Sequence, residues 1–169
     1  MELFESKKSH RIPEQERISE FTVGQCLTNL KYYGQRITDI YSKYEELDQN
    51  SDDAAIMLDA IKNNFNEYAL AFLDLVLVIC DDKVISSLGS AVRAFISKFN
   101  PKEPERSFVD FLNERNSVIH EYCGWKFLDE RTRILLSNYV DGALGVVRIF
   151  EMYVRENNLA TIKIRKCKI

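Results

Sequence analysis

Apolar residues recur along this chain at three- and four-residue intervals over long stretches, the period of a helix turning about 100° per residue. Over residues 21–47 the series is Val23, Leu27, Leu30, Ile37, Ile40, Tyr44 and Leu47, with Tyr32, Tyr33 and Tyr41 thickening the apolar side. The spacing predicts one long amphipathic helix. Aromatic rings at that spacing read as core rather than as a base-stacking surface. Residues 48–53, DQNSDD, predict a turn with Ser51 or Asp52 capping the next helix. That helix spans residues 54–80 and turns Ile61, Phe65, Tyr68, Phe72, Leu75, Val76 and Ile79 to one side. Its last stretch, LVLVIC, is apolar all round, which predicts burial on several sides in the centre of a bundle.

A shorter helix follows over residues 84–99, with Ile85, Leu88, Val92, Phe95, Ile96 and Phe99 inward, and the two prolines of NPKEPER end it. Residues 107–122, SFVDFLNERNSVIHEY, read as a fourth helix. Pro104 blocks entry from upstream, and Ser107 with Asp110 three residues on makes a capping-box pattern. Phe108, Phe111, Leu112, Val118, Ile119 and Tyr122 form its apolar stripe, and Gly124 is its expected left-handed cap. A last helix over residues 129–156 keeps Ile134, Leu135, Tyr139, Ala143, Val147, Phe150 and Tyr153 in register. The tail alternates Ile162 and Ile164 with Lys163 and Arg165, as a short strand or a disordered basic end would. The pattern predicts an all-α, up-and-down bundle of four or five helices. It divides the chain into an N-terminal arm or short helix (1–18), a helical domain (19–158) and a basic tail (159–169).

Composition supports that reading. The chain has 169 residues, 46% hydrophobic and 29% charged, enough for one domain with a substantial core. Six Gly and three Pro argue against a turn-rich β fold. No stretch reads as a signal peptide or membrane span, and Cys26, Cys80, Cys123 and Cys167 are scattered without a C-x-x-C pair. The expectation is therefore a cytoplasmic protein with reduced thiols, no membrane association, no metal and no cofactor. A net charge of −3 excludes a broadly basic nucleic-acid-binding domain, so any RNA contact must be local. Candidate contacts are Lys102 and Arg106 beside the fourth helix and Lys163, Arg165 and Lys166 in the tail. Lys7, Lys8 and Arg11 form a second cluster, and solvated tails are the plainer reading of both ends. There is no Gly-rich phosphate loop, no G-x-S-x-G elbow and no metal-ligand set.

The fourth helix carries the one constellation with chemistry in it. Arg115 stands in the middle of an apolar stripe, where a guanidinium costs free energy unless it is paired or used. Asn116 and His120 are four apart and share a side of the helix. Arg115 and His120 lie about 140° apart around the axis, awkward for one helix acting on one phosphate. Two copies facing each other would bring an Arg from one chain to a His from the other. A neutral-range imidazole moves a proton, a guanidinium steadies charge on a phosphate, Asn116 orients either, and the Tyr122 hydroxyl donates a hydrogen bond. RNA supplies its own nucleophile in the 2′-hydroxyl, so such a set needs no metal.

Arg115, Asn116, His120 and Tyr122 spell R-N-x-x-x-H-x-Y, which resembles the Arg-x(4 to 6)-His motif of HEPN domains, in particular the HepT-type toxins. The resemblance is carried by the eight residues from Arg115 to Tyr122 and by a similar order of long helices. It implies an all-α domain whose homodimer forms a metal-independent RNase site, with Arg115 and His120 catalytic and Asn116 and Tyr122 supporting. It further implies a toxin or defence effector acting on cellular RNA such as tRNA, neutralised by a minimal nucleotidyltransferase that attaches AMP to Tyr122. The alternatives are a non-catalytic module of that type, binding a nucleotidyltransferase or a nucleotide through the same residues, and a helical adaptor with no site.

Overall fold

The computed structural model describes residues 18–80, 85, 87–120 and 130–165. Their order is β1 (Ile18–Thr22), α1 (Val23–Glu45), α2 (Asp52–Ile79), α3 (Leu88–Phe99), α4 (Glu105–His120), α5 (Glu130–Glu156) and β2 (Lys163–Arg165). The expected helical bundle is therefore a bundle of five, and a two-stranded antiparallel ribbon, β1 with β2, is added to it. Among the described residues no helix is long and apolar enough to cross a membrane.

Helices α1, α2 and α3 each start where a side chain takes up N–H groups left open by the first turn. At α1 the Gln25 N–H donates to Thr22 Oγ1 at 3.2 Å and the Thr22 N–H to Gln25 Oε1 at 2.9 Å, a reciprocal cap. At α2 it is Ser51 that accepts, from the Ala54 N–H at 3.1 Å. At α3 Ser87 and Ser90 cap each other, which moves the start from the expected residue 84 to Leu88. Asn100 ends that helix at φ 44°, a left-handed conformation asparagine tolerates better than most residues.

Where their side chains are described, the positions named for the predicted stripes are buried or half-buried; Val118, Ile119, Tyr122, Ile134, Leu135 and Tyr139 lie outside those described side chains. All seven positions named for the second helix are buried, and the LVLVIC stretch is buried or half-buried around its whole circumference. Rings then run across the bundle. Phe65 of α2 stacks on Phe108 of α4 at 5.7 Å, while Phe72, Phe95 and Phe150 meet pairwise at 5.2–5.8 Å and join α2, α3 and α5. Tyr32 corrects the expectation for the first helix: it is 55% exposed, with the Arg36 guanidinium 5.8 Å above its ring. It stands about half a turn around α1 from Val23, Leu27 and Leu30, so it belongs to the outer face.

α1 packs most extensively on α2, α5 returns against α1, and α4 rests on α5. The ribbon packs on α1 and α2. Ile164 of β2 is buried, and the loop before it satisfies the first N–H groups of α1: Val23 donates to the Ile162 carbonyl at 2.7 Å and Gly24 to the Ala160 carbonyl at 2.9 Å. Of the two expectations for the tail, the strand holds over Lys163–Arg165.

Candidate functional site on α4

α4 begins at Glu105, two residues before the expected start, and Pro104 is where its hydrogen bonding opens. The Phe108 N–H donates to the Pro104 carbonyl at 3.1 Å and the Arg106 N–H to the Lys102 carbonyl at 2.9 Å. Ser107 is inside the first turn, its hydroxyl donating to the Glu103 carboxylate, so it does not cap the helix as the S-x-x-D pattern suggested.

What seats α4 is the surface of α5. Gly142 lets the helix start come so close that a methyl there would lie 2.5 Å from Phe108 Cβ and 2.6 Å from the Pro104 oxygen. A methyl on Gly145 would meet the Glu105 carboxylate. Beside this notch the Tyr68 hydroxyl of α2 donates to the Ala143 carbonyl of α5 at 2.6 Å, and its ring meets Phe108 edge-on at 5.0 Å. Burial pushes the Tyr68 phenol well above its ordinary range, so it stays a neutral donor. Phe108, Val109, Phe111 and Leu112 are all buried, and α4 is thereby held against α2 and α5. Sequence reasoning missed the notch; its signal was the pair of glycines three residues apart in DGALG.

Arg115, Asn116 and His120 lie on one unbroken helix, and for these three the description extends to the backbone. Tyr122 and Lys166 lie outside the described residues, as do Lys7, Lys8, Arg11, Cys123, Gly124 and Cys167. By helix geometry Arg115 and His120 are about 7.5 Å apart along the axis and about 140° apart around it. Position 115 falls in the angular sector that Phe108, Phe111 and Leu112 bury, one to two turns further along.

The four flanking cations do not form one patch. Lys102 is exposed before α4. Arg106 is 43% exposed, with Nε 3.5 Å from Asp110 Oδ2, and that N–H is not aimed at the carboxylate and has no hydrogen bond. The pair is solvent-screened and weak. Arg106 is about 21 Å from His120 along the axis, so the two cannot hold one phosphate, though both can lie along one strand. Lys163 and Arg165 belong to the ribbon, which packs on α1 and α2. Among the described residues no group of three or more His, Cys, Asp and Glu side chains comes together to hold a metal ion.

No family model, curated protein or solved structure matches this chain. That overturns one expectation. The labels HEPN, ribonuclease, nuclease, hydrolase, RNA-binding, toxin–antitoxin and antiviral defence, taken together as an identity, have no matched relative behind them, and they are withdrawn as descriptions of the protein. What stands is the chemistry that four residue types at this spacing can perform.

Proposed function

We propose that two copies of this chain pair through their α4 helices and cleave RNA by attack of a ribose 2′-hydroxyl on the adjacent phosphate, without a metal. The observation that carries this reading is the spacing Arg115-Asn116-x-x-x-His120-x-Tyr122, whose first three members share one continuous helix of a five-helix bundle. In the reaction the 2′-oxygen bonds to phosphorus, the bond to the 5′-oxygen breaks, and a 2′,3′-cyclic phosphate and a free 5′-hydroxyl result. His120 moves the proton between ribose oxygen and solvent or leaving group, and Arg115 of the facing copy steadies the charge that builds on the phosphate. Asn116 orients the imidazole or the phosphate. Tyr122 donates to it, and adding AMP there would set an anion beside Arg115 and close the site.

The test is incubation of total RNA and purified tRNA with the wild type and His120→Ala in the presence of a chelator, with product ends mapped. Cyclic phosphate ends from the wild type, falling at least about 100-fold in the variant at unchanged folding, are expected. Cleavage that persists in His120→Ala overturns the assignment.

A second reading is a non-catalytic module that binds a nucleotide or a nucleotidyltransferase through the same residues. The net charge of −3 and the dispersed cations favour it. It predicts a stable complex and no cleavage.

A further inference from the structure

α4 carries a second alignment besides its apolar sector. Positions 106, 113 and 120 are seven apart, close to two turns each, so positions 106 and 120 both lie within about 20° of a line drawn along the helix through Asn113. Asn113 is exposed, and the buried Val109 one turn earlier marks the edge of the packed side. The line therefore follows the border where α4 meets its neighbour, and at Asn113 that neighbour is α3.

Opposite Asn113 stands Gly89, in the first turn of α3. A methyl on Gly89 would lie 3.0 Å from Asn113 Oδ1 and 3.6 Å from Arg93 Nη1. The Arg93 guanidinium thus folds back one turn along α3 to the seam, and glycine puts no side chain between it and the amide. Arg93 is exposed and makes no ion pair with a described residue, whereas Arg106, on the same line of α4, has Asp110 3.5 Å away. A guanidinium takes a phosphate with two parallel N–H groups, and an amide turned to present its NH2 adds another donor. Asn113 is about 10 Å along α4 from position 120. That is too far for Arg93 and His120 to hold one phosphate, and near enough for them to hold separate phosphates of one strand.

We infer that Arg93, helped by Asn113, grips an RNA strand by a phosphate flanking the one that is cut. This rests on the reading of α4 as an RNA-cleaving helix and extends it: the substrate is a strand of several nucleotides laid along the seam between α3 and α4. The probe is a short single-stranded oligonucleotide with methylated 2′-hydroxyls, which cannot be cut, followed by fluorescence anisotropy. Arg93→Gln is expected to weaken its binding about tenfold, the share of one charge-assisted contact, at unchanged melting temperature. The slope of log affinity against log salt should become shallower by about 0.7. Arg36→Gln removes the same charge from the outer face of α1 and should change affinity by less than about twofold. In cleavage of a longer RNA, Arg93→Gln should raise KM by about tenfold and leave kcat within about twofold, while a dinucleotide, which has only the scissile phosphate, is cut equally by both proteins. Binding by Arg93→Gln as tight as by the wild type, an equal loss in Arg36→Gln, or no binding by the wild type overturns the inference. Binding that depends on Arg93 without any cleavage upholds the strand contact and overturns the cleavage reading instead.

Discussion

Two helix starts in this bundle are held by close approach to a glycine, and they are held differently. At α4 the neighbours of Gly142 are a Cβ and a carbonyl, 2.5 and 2.6 Å from where a methyl would sit, a contact between surfaces. At α1 the neighbour of Gly24 is the Ala160 oxygen, 3.1 Å from a methyl, and that oxygen already accepts the Gly24 N–H at 2.9 Å. The first seat depends on volume and the second on a hydrogen bond. Volume errors are hard to relieve in a packed interior, whereas a loop can give by a few tenths of an ångström.

Gly142→Ala is the sharpest way to break that contrast. Alanine's helix preference favours the variant by about 1 kcal/mol, but overpacking against atoms that cannot rotate away costs about 1–3 kcal/mol or more. A net loss of about 2 kcal/mol in urea unfolding is expected. Gly145→Ala is the control, because the group it meets is the flexible end of Glu105, which can swing aside; a change within about 0.5 kcal/mol is expected. Equal, small effects at both positions would mean that the notch does not seat α4.

Tyr68→Phe comes next, since it leaves the Ala143 carbonyl beside the notch without its donor. A loss of about 1 kcal/mol at neutral pH is expected. The same phenol gives the bundle an alkaline limit. An unfolded tyrosine ionises from its ordinary value of 10.0, the folded Tyr68 well above it, so its contribution is whole below pH 10.0 and is lost as pH rises further. Tyr41 acts in the same direction, raised by burial and then by its hydrogen bond to Glu45. Melting curves above pH 10.0 should therefore fall less steeply for Tyr68→Phe than for the wild type. Gly24→Ala should be smallest, within about 0.5 kcal/mol, because helix preference offsets the slight displacement of Ala160.

The helices were legible because burial repeats with the helical period, and the inward positions of α2 followed directly from it. Tyr32 escaped because apolar residue type was weighed above angular position: it stands across the helix from Val23, Leu27 and Leu30. The start of α4 escaped because a serine three residues before an acid caps a helix only if the backbone opens there, and Pro104 opens it earlier. The ribbon was half legible, as an alternating tail without a partner. Its other strand was hidden in residues assigned to the arm and to the first turn of a helix. For the candidate site, the helix under Arg115, Asn116 and His120 could be read from the pattern. The glycine seat that fixes that helix comes from contacts between distant segments that carry no local period.

The hydrogen bonds from Val23 and Gly24 to Ile162 and Ala160 span nearly the whole described chain. They are contacts of very high order, and closing so long a loop is slow compared with winding a helix. As the chain leaves the ribosome, α1 emerges before the other four described helices, yet the carbonyls that complete its first turn emerge after all five. Helices α1 and α2 can pack early, but the first N–H groups of α1 stay open to water until residues 160–162 arrive, which makes a distant, later segment the one that locks the start of α1.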